Sequence, residues 1–295
     1  MTQANSNGRI QVLLACAVTY AAALVVAYLT VVALPDDLHP IWIALIADLA
    51  ATLVVFVAGA IVGNSSLYDP YWSVAPLVII VYWALSDVDG DANLIRTALV
   101  IAVVYAWGLR LTFNCFRRWT SLNHEDFRYQ DLRKSSGRLY PLVDLFGIQL
   151  FPTLLVFAGC LPLYPALTMG GSLGVFDVLA VLLAGFGIFY ETLADQQLRK
   201  FLVTRSDASR VCTNGVWGRS RHPNYLGEMS FWGGLWFFAL AVNPDWWWTG
   251  IGALAMIILF VFISIPMMQT RHKQRRPDYE EQVQNIPVLL PKLKG

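Results

Sequence analysis

Eight long apolar stretches dominate this sequence. They run near Ile10–Ala33, Ile41–Val62, Val74–Leu85, Ile95–Phe113, Phe146–Leu167, Val175–Ala194, Leu226–Val242 and Gly250–Met268. A helix that crosses a bilayer needs roughly 20 mostly apolar residues to cover about 30 Å of hydrocarbon. The third stretch is short and is expected to begin within the polar segment Ser65–Ser73. The first is longer than the roughly 7–15-residue core of a signal peptide and reads as a retained helix. Composition agrees: 57% of the 295 residues are hydrophobic and 14% charged, where a soluble domain carries about 25% charged residues. That excludes a soluble globular protein, a disordered chain and a nucleic-acid-binding module. The expected fold is all-α, a polytopic membrane helical bundle of about eight transmembrane helices (seven to nine) with cytoplasmic N- and C-termini.

Charge placement supports this topology. Of the 21 Lys and Arg residues, only Arg96 falls at the outer face that eight spans would define. The others lie in the N-terminal tail, the loops 114–145 and 197–225, the C-terminal tail, or just inside an adjoining helix end. The positive-inside rule asks for such a bias. Trp246, Trp247 and Trp248 then sit in an outer loop, as an aromatic belt would. The four cysteines are scattered and form no CxxC pair, so neither a disulfide framework nor a zinc site follows, and no metal is expected. Residues 1–63 read as an N-terminal scaffold helix pair with almost no polar residue inside its spans, and 64–295 as the catalytic bundle.

Several short motifs carry nothing. Gly170–Gly174 matches G-x-S-x-G but lacks a strand–turn–helix context. Gly185 and Gly187 lack the third glycine of a dinucleotide fingerprint and suit helix packing. What remains is a polar constellation at the expected cytoplasmic face. Pro223 disfavours helix at His222 and suits a helix start, which places Arg221 and His222 just before a helix N-terminus, a natural phosphate site. Asn224 and Glu228 share one face of that helix. Glu191 and Asp195 share a face at the end of the preceding helix, followed by Gln197 and Arg199. Asp69, flanked by Tyr68 and Tyr71, is either a solvated helix start or a buried acid. Arg110, Asn114, Arg117 and Arg118 form a stripe that suits either cofactor phosphates or lipid headgroups.

The stretch Arg221-His222-Pro223-Asn224-Tyr225-Leu226-Gly227-Glu228 resembles the C-terminal signature of the steroid 5-alpha-reductase superfamily, in its bacterial branch of unknown function. Asp69-Pro70-Tyr71-Trp72, the E-x-x-A-D-x-Q run Glu191–Gln197, and Ser264-Ile265-Pro266 with Arg275–Tyr279 extend the likeness. The resemblance implies NADPH-dependent reduction of an activated carbon–carbon double bond in a lipid-soluble, steroid-like, isoprenoid or fatty substrate. It implies cofactor contacts at Arg110, Asn114, Glu191, Asp195, Gln197, Arg199, Arg221, His222, Asn224, Tyr225, Glu228, Arg271 and Tyr279. Asp69 would hold or polarise the substrate carbonyl. The family's oxyanion tyrosine has Trp107 near its place, so either Tyr68, Tyr105 or Tyr71 supplies the donor or the substrate differs.

The Arg-His-Pro-Asn-Tyr segment is also similar to membrane methyltransferases of the isoprenylcysteine carboxyl methyltransferase type, which use S-adenosylmethionine. A non-enzymatic lipid-binding protein is the third reading. In each case the partners are the bilayer and a lipid-soluble small molecule, with no nucleic acid. A monomer in a bacterial cytoplasmic membrane is expected.

Overall fold

The computed structural model describes residues 3–87 and 90–292, and among them all regular structure is helical. Val88 and Asp89 of the expected outer loop 87–94 lie outside the described residues. The chain divides into two units, Met1–Gly171 and Ser172–Gly295.

The first unit contains α1 (Gln3–Ala33), α2 (Pro40–Val62), α3 (Tyr71–Leu85), α4 (Leu94–Arg118), α5 (Phe127–Ser136), α6 (Tyr140–Val143), α7 (Phe151–Cys160) and α8 (Leu163–Thr168). Local chemistry sets the boundaries. His39 Nδ1 accepts from Ile41 N and Pro40 takes the first helical position of α2, where its missing N–H costs nothing. Gly63, at φ 74°, ends that helix in the left-handed region. The Asn93 side chain caps α4 through Ile95 N and Arg96 N, and the Asp126 side chain caps α5 through Arg128 N.

Hydrogen bonds show how the helices of this unit alternate. At one end Arg9 Nη2 donates to Arg117 O at 2.6 Å, and Asn64 Nδ2 donates to Leu122 O and His124 O. At the other end Trp83 Nε1 donates to Pro40 O, and Asn93 Nδ2 donates to Gly171 O. Successive helices α1 to α4 therefore run in opposite directions.

The second unit contains α9 (Val175–Thr204), α10 (Pro223–Val242), α11 (Ile251–Ile258), α12 (Ile265–Arg275) and α13 (Tyr279–Val283). Helices α9 and α10 pack through small residues. A Cβ on Gly227 would lie 2.8 Å from Glu191 Cβ, and one on Gly234 would lie 2.8 Å from Ala184 Cβ. Gly187 faces Gly227 O and Phe231 N just as closely, whereas Gly185 meets nothing, so only one glycine of that pair is a packing notch.

Among the described residues, six helices are long and apolar enough to cross a membrane: Asn7–Ala33, Pro40–Val62, Leu94–Arg118, Phe127–Cys160, Val175–Thr204 and Pro244–Arg275. The protein is thus an integral, multi-pass, all-α membrane bundle. The expected third and seventh spans are the helices α3, of 15 residues, and α10, of 20, which fall outside that set. The expected span Phe146–Leu167 starts earlier, at Phe127, and ends at Cys160, two residues before Pro162. The helix widens into π geometry at Asp144–Leu150 and again, in the other unit, at Leu259–Ser264. Each widening precedes a proline, Pro152 or Pro266, whose ring would collide with the carbonyl four residues back in a regular α-helix.

Gly234→Leu forces a side chain into the α9–α10 contact and is expected to destabilise the protein by about 1–3 kcal/mol. The same change at Gly185, which meets nothing, should be near neutral. Melting temperatures of the two variants in detergent distinguish the sites.

Candidate functional site

In the first unit, a turn of 3-10 helix, Ser65–Tyr68, joins α2 to α3 and presents Asp69. The turn is tied down from both sides. Ser65 N donates to Glu125 Oε1 at 2.9 Å, Ser65 Oγ donates to Asp144 Oδ2 at 2.8 Å, and Asp126 N donates to Ser66 Oγ at 2.9 Å. Arg133 closes the group on Glu125 at 2.8 Å, with its guanidinium 4.1 Å above the Tyr140 ring. Asp69 itself is half-buried and accepts the Tyr129 hydroxyl at 2.6 Å. Burial raises its carboxyl to about 6, against the opposing pull of that hydrogen bond and of the Arg128 charge. Of the two readings of Asp69, the buried acid is the nearer.

Tyr68 is buried, and its hydroxyl pairs with Thr153 Oγ1 at 2.9 Å. Tyr71 donates to Asp48 Oδ1, also at 2.9 Å. Tyr105 is half-buried on α4. Trp107 is fully buried against Trp72, with ring centroids 5.8 Å apart. On the last turns of α4, Arg110 is half-buried and Asn114 buried, and Asn114 Oδ1 accepts from Arg117 Nη2 at 3.3 Å.

In the second unit, His222 holds the N-cap position of α10 with a non-helical backbone (φ −134°, ψ 59°), and Pro223 begins the helix. The His222 ring stacks on Tyr225 at 5.3 Å, and Tyr225 rests on Phe260 at 4.9 Å. Burial, with the His272 and Arg221 charges adding to it, pushes His222 down to about 4, so it is neutral at pH 7. Its Nε2 is buried with no hydrogen-bond partner. The half-buried side chain of Asn224 also makes no hydrogen bond among the described residues. Glu228 and Glu191 are buried on facing helices, and Glu228 Oε1 accepts from Trp232 Nε1 at 3.0 Å. Asp195 and Arg271 are half-buried and Arg199 is exposed.

Three of the expected cofactor contacts make hydrogen bonds or ring contacts within the second unit. Arg221 donates from Nε to Ile286 O at 2.7 Å and from Nη2 to Val283 O at 3.1 Å. Gln197 Oε1 accepts from Val216 N at 2.9 Å and fills the space beside Gly215, whose φ of 61° no side chain would favour. Tyr279 is buried with Val283 and Ile286 and stacks on His272 at 5.2 Å. The peptide after α13 is bound back onto the segment before α10: Arg221 N donates to Pro287 O and Ser220 Oγ to Leu289 O.

The family model described as "Protein of unknown function (DUF1295)" matches residues 55–286. The chain belongs to the DUF1295 family. An uncharacterized protein of Schizosaccharomyces pombe is 24% identical over 255 residues, which cover 79% of this chain and 74% of the relative. That eukaryotic relative lends no support to the bacterial membrane expected from sequence. No solved structure matches the chain. The DUF1295 match takes in every residue that carries the steroid-reductase likeness, and its start at residue 55 leaves Asp48 outside.

Sequence reasoning missed two groups in this DUF1295 member. Tyr129 lies in the loop expected between spans, where nothing in its neighbourhood marks a partner for Asp69. Asp48 was legible: it is the one carboxylate inside the span 40–62, in a helix pair read as scaffold.

A protonated-carboxyl infrared band lost in Asp69→Asn is expected to titrate near pH 6. Tyr129→Phe removes a donor that favours the ionised form, so the midpoint should move upward. A midpoint that stays put or falls shows that Tyr129 does not govern Asp69.

Proposed function

We propose that the protein is a membrane-embedded, NADPH-dependent reductase of an activated carbon–carbon double bond in a lipid-soluble substrate. It acts as a monomer with eight passes and both termini cytoplasmic. The observation that carries this reading is the state of the Arg-His-Pro-Asn-Tyr segment. His222 keeps a buried, unpartnered Nε2 directly at the start of α10, with the half-buried Asn224 amide two residues on. Buried polar atoms without partners are costly, and a polar ligand at that point would satisfy them. A helix N-terminus adds backbone N–H groups suited to phosphate.

The residues fit such a cofactor in part. His222 and Asn224 would hold it, with Glu191, Asp195, Glu228 and Tyr225 beside them in the same unit. Arg221, Gln197 and Tyr279 would act by fixing the segment's backbone. The cofactor supplies hydride when bound; the protein supplies placement and electrostatics.

Asp69 has the chemistry the substrate end needs. Reduction of an enone drives negative charge onto the carbonyl oxygen, and a hydrogen-bond donor aimed there lowers the barrier. A carboxyl donates only when protonated, and burial favours that form. The Tyr129 hydroxyl on Oδ1 orients the group.

Thermal melting of detergent-purified protein with NADPH, NADH, NADP and S-adenosylmethionine tests the reading. NADPH at about 100 times its Kd should stabilise by ~2.7 kcal/mol. Asn224→Ala should lose most of that shift while the unliganded protein melts as before, because Asn224 ties nothing together. A shift with S-adenosylmethionine alone would replace the reductase by a methyltransferase, and no shift with any ligand would favour a lipid-binding protein without turnover.

A further inference from the structure

Asp48 lies midway along α2 and is 5% exposed. Its Oδ1 accepts the Tyr71 hydroxyl, and its Oδ2 is buried with no hydrogen-bond partner. Thr52 on its own helix and Tyr71 of α3 bond to it, and Tyr68 of the preceding turn and Cys160 of α7 lie within range of its charge. Tyr20 of α1 reaches it only through a ring contact with Tyr71. No Lys, Arg or His pairs with it among the described residues of this unit. An ionised carboxylate so placed would have no countercharge, which a membrane interior penalises heavily. A network that existed only to tie helices together would leave neither carboxylate oxygen unpaired.

A chain of hydroxyls leads to this acid, and the count of hydrogens fixes its direction. Thr52 Oγ1 donates to Asp48 O at 2.8 Å. Thr52 has one hydroxyl hydrogen, so Thr153 is the donor in their 3.0 Å contact. Thr153 has likewise used its own, so Tyr68 donates in the 2.9 Å contact between them. Every hydrogen points from Tyr68 toward Asp48. Thr52 is also within hydrogen-bond reach of Tyr71. Swinging its hydroxyl from the Asp48 carbonyl to Tyr71 connects the chain to the carboxyl itself.

One turn before Thr153, Gln149 has a buried Oε1 without a partner, and its Nε2 donates to Asp144 Oδ1 at 3.1 Å. Asp144 is bonded to Ser65, whose backbone N–H meets Glu125, and Glu125 pairs with the exposed Arg133. A polar set that reaches the surface of the unit thus ends at Gln149, one turn of helix before Thr153.

We propose that Asp48 is an internal proton-binding site, loaded and unloaded along Tyr68, Thr153, Thr52 and Tyr71. A proton taken from water at the surface arrives at the Tyr68 oxygen. Each hydroxyl then passes its own hydrogen to the next oxygen as it gains a new one, and the last transfer forms an O–H bond on Asp48. One proton moves and no electron does. The inference stands apart from the reductase reading and needs no cofactor.

Infrared spectroscopy of the full chain in detergent tests it. A protonated-carboxyl band absent from Asp48→Asn should shift promptly when wild-type protein is moved from H2O to D2O. In Thr153→Val, which keeps the shape and removes the hydroxyl, the same shift should be several-fold slower. Tyr68→Phe, which keeps the ring, is the second break in the chain and should slow it likewise. No band lost in Asp48→Asn, or equal exchange in wild type and both variants, overturns the proposal. Absence of NADPH binding would leave this result untouched, so the two readings fail separately.

Discussion

Every polar group that a lipid-embedded bundle encloses must find its partner inside the protein, because the surrounding hydrocarbon offers none. That requirement organises the first unit. The turn between α2 and α3 is held by Glu125, Asp126, Asp144 and Tyr129, all contributed by residues far along the chain. Without them the Ser65 N–H would be unsatisfied and Asp69 would lose the Tyr129 hydroxyl that holds it. In the second unit the same requirement is met by the peptide after α13, whose carbonyls absorb the Arg221 guanidinium.

The helical bundle was legible because apolar runs of bilayer length have few alternatives. What the runs did not display is where proline distorts them. Pro152 and Pro266 lie inside apolar stretches. Their effect, a widened turn just upstream, appears only once the backbone is traced. The helix at Phe127–Ser136 was hidden for the opposite reason. Its Arg, Lys, Gln and Asp residues look like loop, and its stability comes from the Asp126 cap and from Tyr129 packed with Tyr140 and Ile148.

Candidate site residues divided along a similar line. His222, Asn224, Glu191 and Glu228 stand out by helix position and by burial, both of which periodicity conveys. Arg221 and Gln197 have the same residue types and the same motif, yet their hydrogen bonds go to backbone groups of Ile286, Val283 and Val216. A basic or amide side chain next to a helix start suits an anion and suits a backbone clamp equally well. The Arg221 bonds run to segment 283–289 and the Gln197 bond to Val216, neither of which the motif itself displays. Tyr129 was beyond reach for the same reason, since its contact with Asp69 spans 60 residues.

The clasp between Arg221 and Ile286 also sets an order of events during synthesis. The clamping carbonyl is made 65 residues after the arginine it binds, a delay of roughly 3 to 13 seconds at 5–20 residues per second. Throughout that interval α10 is in existence, and the segment that leads into it is held to α9 at Val216 and Trp217 but lacks the Arg221 clasp. The segment around Arg221 is therefore completed late, after α9 and α10 on either side of it have been made. A chain stopped short of residue 283 would hold its helices and leave this segment open.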